Sequence, residues 1–185
     1  LLALLNNLLD LSKLEAGKAE LNIEKNDLFL LSEQIYAEYL AKTEEKNINF
    51  VLEKPEASTM VLCDKNQILQ VLSNLFANAI NFSPEGKTIH VHIEKAEIIL
   101  GKRITDSEKT VGVVFSISDQ GPGIPNTELL TIFDKFIQSS KTKDGSGGTG
   151  LGLAISHEII SNHHGKIWAE HNPDGGAIFK FFLRI

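Results

Sequence analysis

The chain has 185 residues, 42% of them hydrophobic and 23% charged, with a formal net charge of -6. That composition supports one ordinary core and excludes a disordered chain, and the acidic balance excludes a broad nucleic-acid-binding face, which is normally basic. The single cysteine, Cys63, excludes an internal disulfide and fits a reducing compartment, and no stretch approaches the ~18 apolar residues of a membrane span.

The chain opens Leu-Leu-Ala in mid-pattern and reads as a piece of something longer. Residues 1–16 form a predicted helix, with Leu1, Leu4, Leu5, Leu8, Leu11 and Leu14 at three- and four-residue steps and Gly17 at the stop. Such a stripe either packs on its own domain or pairs with a helix from another segment or a second copy; its width favours the pair. Ala19–Ile23 alternates weakly, as a short strand. Asn26 or Asp27 caps a helix to about Lys46, with Leu28, Leu31, Ile35 and Tyr39 on one face. Ile48–Leu52 and Met60–Cys63 read as strands.

Asp64 then caps a helix from Lys65 to Phe82, with Gln67 placed as in a capping box, and Ser83-Pro84-Glu85-Gly86 stops it. Thr88–Leu100 and Val111–Ser118 are long strands around a charged loop. Pro125–Ile132 suggests a short helix, and residues 135–148 a polar loop carrying Lys135, Lys141 and Lys143. Thr149–His163 is a helix, and Lys166–Glu170 with Ala177–Leu183 a closing hairpin. The order implies an α+β fold, a two-layer sandwich with helices on one face of a largely antiparallel sheet.

Three features carry chemistry. Asn74, Asn78 and Asn81 stand four and three apart on the helix 65–82, a polar row on a helix whose other face is apolar. Amide oxygens suit a hard cation that shares its shell with phosphates. Asp119 ends an apolar strand and enters the turn Gly121-Pro122-Gly123 beside Ile124, a place for a carboxylate to accept from an exocyclic amine. Five of the 14 glycines fall between Gly145 and Gly152 and run into a helix, the arrangement that brings backbone N–H groups to phosphate. The Gly-Lys-Ser/Thr of a Walker loop is absent.

Asn74–Ser83, Asp119–Pro125, Phe133-Asp-Lys-Phe136 and Gly148–Leu153 resemble, in order and spacing, the N, G1, F and G2 boxes of sensor histidine kinases, members of the GHKL ATP-binding superfamily. Leu8 to Gly17 resembles the end of the second helix of the dimerisation and phosphoacceptor domain. The resemblance implies residues 1–17 as that helical stub and 18–185 as a catalytic ATP-binding domain of Bergerat fold, with three main helices on one face. It implies ATP and Mg²⁺ as ligands. Asn78 would ligate the metal, and Asp119 would bind the adenine amine in a pocket shaped by Gly121, Gly123 and Ile124. Phe133 and Phe136 would anchor a lid over residues 135–148. Asn74, Asn81, Phe82, Gly148, Thr149, Gly150, Leu151 and Gly152 would complete the nucleotide contacts.

Related ATPases of the superfamily carry a Glu at the position of Asn74; an amide is no general base at neutral pH, so the resemblance implies transfer and not hydrolysis. Many relatives have Lys or Arg where this chain has Asn81. None of the six histidines lies in the first 17 residues; His163-His164 ends a helix, where an imidazolium suits the dipole, and all six read as structural or surface. The phosphoacceptor histidine is expected outside the chain, on a helical hairpin of the same protein, with a response regulator receiver domain as onward partner, a homodimer in the full-length protein, and a cytoplasmic catalytic part. A degenerate kinase that only holds nucleotide, or a GHKL ATPase, are the alternatives.

Overall fold

The computed structural model describes residues 2–15, 20–100, 109–142 and 149–185. In chain order the elements are α1 (Leu2–Glu15), β1 (Ile23–Asp27), α2 (Leu28–Glu45), β2 (Asn49–Leu52), β3 (Met60–Asp64), α3 (Lys65–Phe82), β4 (Thr88–Ile99), β5 (Lys109–Ser118), α4 (Gly152–Asn162), β6 (Lys166–His171) and β7 (Ala177–Arg184). Five strands form the main sheet in the order β2-β4-β5-β7-β6, parallel only between β2 and β4; β1 and β3 make a separate antiparallel pair. No described helix is long and apolar enough to cross a membrane.

Period-two patterning sets the register. Val91 pairs with Ile117 and Ile93 with Phe115, while Phe115 pairs with Phe181 and Ile117 with Phe179. One face of β4, β5 and β7 is thereby apolar and buried, and a one-residue slip would turn it to solvent. Helices α2, α3 and α4 pack together over the sheet, which gives the two layers. Tyr36, Phe50, Phe76, Phe115 and Phe181 form a run of ring contacts from α2 and β2 through α3 to β5 and β7, with successive centroids 4.5, 5.2, 6.3 and 4.9 Å apart. Truncating Phe76 or Phe115, both fully buried, would cost about 3–5 kcal/mol each.

The helix ends show how side chains position α3. Asp27 caps α2, its Oδ1 accepting from the Phe29 N–H at 3.0 Å. Asp64 caps α3, accepting from the Gln67 N–H at 3.1 Å. The reciprocal half of a capping box is not made. The Asp64 N–H donates instead to His163 Nε2 at 3.0 Å, and Gln67 Oε1 is buried with no partner. At the other end α3 has no basic residue in its last turn. Lys46 reaches over from α2, its Nζ donating to the carbonyls of Ile80 (2.6 Å), Asn81 (3.1 Å) and Ser83 (3.1 Å).

Four sequence expectations change. The first strand is Ile23–Asp27, not Ala19–Ile23, because its place is decided by pairing with β3. Pro125–Ile132 is a run of turns and not a helix: Glu128 N–H donates to Pro125 O, and Thr131 and Ile132 N–H to Glu128 O. So short a piece does not repay helix nucleation. The last helix begins at Gly152, because Gly150 holds φ +70° just before it. The leucine stripe of α1 does not wait for a foreign partner along its whole length. Leu11 and Leu14 are 3% and 6% exposed within the domain core, Leu8 packs against the same core, and Asn162 Nδ2 donates to the Leu14 carbonyl at 3.4 Å; Leu5 and Leu9 remain exposed. Gly17, Ala19, Lys143 and Gly145–Gly148 lie outside the described residues.

Candidate nucleotide site

A cavity of about 340 Å³ opens between α3, the start of α4 and the end of β5, within the range of small-molecule sites. At one end stands Asp119. Its N–H donates to Ala177 O at 2.9 Å, prolonging the β5–β7 ladder by one residue, and its carbonyl accepts from Asn172 Nδ2 at 2.8 Å. Carboxylate Oδ1 accepts from the N–H groups of Gly121 (2.8 Å) and Ala177 (3.3 Å). The residue is only 5% exposed. Burial raises its carboxyl above the ordinary carboxylate range, and the two backbone N–H bonds oppose that shift. Oδ2 has no partner among the described residues, and the side chain lines the cavity beside Gly123, Ile124 and Phe82.

The glycines here serve close backbone packing. A Cβ on Gly121 would stand 2.6 Å from the Phe82 carbonyl oxygen. Gly123 has φ +71° and would meet Gly176 O at 2.9 Å. Gly176, with φ +93°, presses on Asp119 itself: a Cβ would fall 2.2 Å from the Asp119 carbonyl oxygen. From the sequence, residues 172–176 are simply the link of the closing hairpin; in the structure Asn172, Gly176 and Ala177 frame Asp119, a role that only the Gly175-Gly176 pair signals.

The opposite end is lined by the asparagine row with Thr149, Gly150 and Gly152. Asn74 is engaged: its Nδ2 donates to Gly152 O at 3.1 Å and Ser156 Oγ at 3.3 Å, tying α3 to the first turn of α4. The carboxamides of Asn78 and Asn81 have no hydrogen-bond partner among the described residues. No cluster of three His, Cys, Asp or Glu among the described residues suits a metal ion. A cation would therefore depend on an amide oxygen such as that of Asn78 together with the ligand's own oxygens, a set that fits Mg²⁺. Asp119 is the only carboxylate lining the cavity among the described residues.

Gly121, Phe133, Phe136 and Leu151 do not line the cavity. Phe133 is buried against Phe179, edge-on at 6.3 Å, and Leu151 is fully buried. Phe136 differs from the expected anchor: the residue is 57% exposed, and its backbone, at φ +61°, makes the link by donating to Gly150 O at 3.0 Å. Gly150 has no room for a Cβ there, which would come within 2.9 Å of that backbone. Lys141 lies at the Asp119 end, its Nζ donating to Pro122 O at 2.9 Å. The cavity also takes in Gln138, Ser139, Thr142 and, from α1, Asn7, none of them singled out in the sequence.

His90, His92 and His163 are occupied elsewhere. His90 and His92 both meet Glu53, whose carboxyl is held low chiefly by the His92 hydrogen bond. His163 is buried, and desolvation lowers its pKa. Its Nε2 accepts from Asp64 N–H, so the proton sits on Nδ1, which donates to Ile159 O at 2.7 Å. A neutral ring replaces the imidazolium expected from the helix dipole, because the site is too dry for the charge.

Residues 63–185 match the family described as "Histidine kinase-, DNA gyrase B-, and HSP90-like ATPase". Among solved structures, the catalytic domain of histidine kinase ThkA superposes with a TM-score of 0.72 at 31% identity, over 88% of this chain and 95% of that one. The chain belongs to the sensor histidine kinases of the GHKL superfamily. This kinase domain is 38% identical over 184 residues to the sensor protein KdpD of Clostridium acetobutylicum, covering 98% of the chain and 19% of that protein. It is 31% identical to the sensor histidine kinase WalK of Bacillus subtilis, covering 99% of the chain and 28% of WalK. It spans less than a third of either relative. Full-length ShkA, solved in complex with AMPPNP, aligns with all of the kinase domain and 36% of its own chain, at TM-score 0.77 and 26% identity.

Proposed function

We propose that the chain binds Mg-ATP in this cavity and transfers the γ-phosphoryl group to a histidine on a helical hairpin of the same protein. In this reading the N6-amino group of adenine donates to Asp119 Oδ2, the oxygen left open while Oδ1 is held by Gly121 and Ala177. Through its amide oxygen Asn78 would hold Mg²⁺, which would supply positive charge to offset the negative charge of the phosphates. The Thr149–Gly152 segment and the start of α4 would face them with N–H groups. In the transfer, the bond from the γ-phosphorus to the β–γ bridging oxygen breaks, a bond to an imidazole nitrogen forms, and ADP leaves. Such chemistry needs positioning and charge neutralisation more than acid–base groups. A response regulator receiver domain would take the phosphoryl group onward, with the catalytic part in the cytoplasm, the full-length protein a homodimer and upstream segments able to anchor it at the inner membrane.

The observation that carries transfer over hydrolysis is the composition of the cavity. Its only carboxylate among the described residues is at the Asp119 end, and Asn74, where hydrolytic relatives carry a Glu, is an amide bound to Gly152 and Ser156. No described residue at the phosphate end can activate water as a general base. The test is to mix the chain and γ-labelled Mg-ATP with a polypeptide bearing the helical hairpin. Acid-labile, alkali-stable phosphohistidine is expected. Its absence both in cis and in trans, or steady phosphate release by the chain alone, would overturn the reading.

A further inference from the structure

Helix α1 reads as the end of a neighbouring helical hairpin, yet one of its residues reaches the nucleotide cavity. Asn7, Leu11 and Leu14 follow four-three spacing and share a helix face. On that face Leu11 and Leu14 are buried in the domain, and the Leu14 carbonyl meets Asn162 at the end of α4. Seven residues earlier, about 10 Å along the axis at the ordinary helical rise, Asn7 lines the cavity with Gly152 and Leu153 from the first turn of α4. The two helices thus run side by side in the same direction, and Asn7 arrives at the end where α4 presents its N–H groups.

A leucine at position 7 would continue the stripe. A carboxamide stands there instead, half-buried, with no hydrogen-bond partner among the described residues. Partly burying an amide without a partner is unfavourable, and an amide facing the same space as Gly150, Gly152 and Asn78 is suited to anionic oxygen.

We propose that Asn7 is a nucleotide-binding residue, its carboxamide N–H donating to the phosphate chain of a bound nucleoside triphosphate. The proposal rests on the Mg-ATP reading above. It makes α1 part of the site, so the docked position of α1 and nucleotide occupancy strengthen one another reciprocally.

The experiment uses the whole chain. Affinities for Mg-ATP and for adenosine are measured by calorimetry and competition for the unmodified protein, Asn7→Ala and Asn7→Leu, with Asp119→Asn as control. Asn7→Ala is expected to weaken Mg-ATP about tenfold, the size of one hydrogen bond to a charged group, with adenosine affinity and the melting temperature of the free chain unchanged. Asn7→Leu continues the apolar stripe, so it should lose the same ATP affinity without loosening α1. Mg-ATP should slow amide exchange across residues 5–14 in the unmodified chain and not in Asn7→Ala. Unchanged ATP affinity in Asn7→Ala, or equal losses for ATP and adenosine, overturns the proposal and leaves the nucleotide reading standing. An unmodified chain that binds neither ligand overturns both.

Discussion

The two ends of the cavity are built on opposite plans. At the Asp119 end nearly every polar atom is already committed: Oδ1 to two N–H groups, the carbonyl to Asn172, the N–H to Ala177, with Gly121, Gly123 and Gly176 removing every Cβ that would keep the backbones apart. One oxygen is left over. At the asparagine end Asn78 and Asn81 hold unpaired carboxamides, and only Asn74 is tied down. A rigid, dry end selects a ligand by one well-placed acceptor. An open end with unpaired amides would, in the proposed reading, be completed by the ligand and its metal. In that reading discrimination would reside in the first and the handling of charge in the second.

The largest effect that would break this contrast is Asp119→Asn. It replaces the open acceptor of the rigid end, and we expect at least a hundredfold loss of adenine-nucleotide affinity by calorimetry, roughly the penalty for unpairing a buried site built for one hydrogen bond. The free chain should be as stable as before or more so, because the buried carboxylate opposes folding at neutral pH. Loss of affinity accompanied by unfolding would place Asp119 in the scaffold alone.

Gly176→Ala probes the frame. A Cβ 2.2 Å from the Asp119 carbonyl oxygen, on a backbone at φ +93°, should cost about 3 kcal/mol in urea unfolding and weaken nucleotide binding in step. Asn78→Ala tests the open end and should leave stability unchanged. It should reduce Mg-ATP affinity about tenfold while metal-free ATP binds nearly as before; equal losses with and without metal would remove Asn78 as the cation ligand.

The smallest effect is the pH profile, and its two signs are opposite. The Asp119 carboxyl is raised above its ordinary 3.8 by burial. Its protonation on acidification favours the free fold: that contribution is fully present below 3.8 and is lost as pH rises through the raised value. The acceptor for an amine is the ionised form, so nucleotide affinity falls over the same interval in which the free chain gains stability. Calorimetry and thermal melts across mildly acidic pH should diverge, and Asp119→Asn should flatten both.

The elements were legible where local chemistry is self-sufficient. Helix α3 runs from Lys65 to Phe82 as its cap and stop signals imply. The long strands follow from alternation, and the position of Asp119 at the end of β5 follows from a carboxylate that ends an apolar strand. What could not be read depends on contacts distant in sequence. Asp64 N–H chooses His163, 99 positions away, over Gln67. Strand β1 sits where β3 can pair with it, and the leucines of α1 find α4. The frame of Asp119 comes from residues 53 to 58 positions downstream, Asn172 and Ala177. No periodicity in one stretch of chain reports such a meeting.

Lys46 offers a last lesson, for protein engineering. The carbonyl end of α3 has no cation of its own and is neutralised by an ammonium lent from α2. A designer who noted that many relatives carry Lys or Arg at the position of Asn81, and grafted a lysine there, would set a cation on a residue whose side chain lines the cavity and whose carbonyl already binds Lys46. One residue thus serves the helix end through its carbonyl and the cavity through its side chain, so positions 46 and 81 are to be redesigned together.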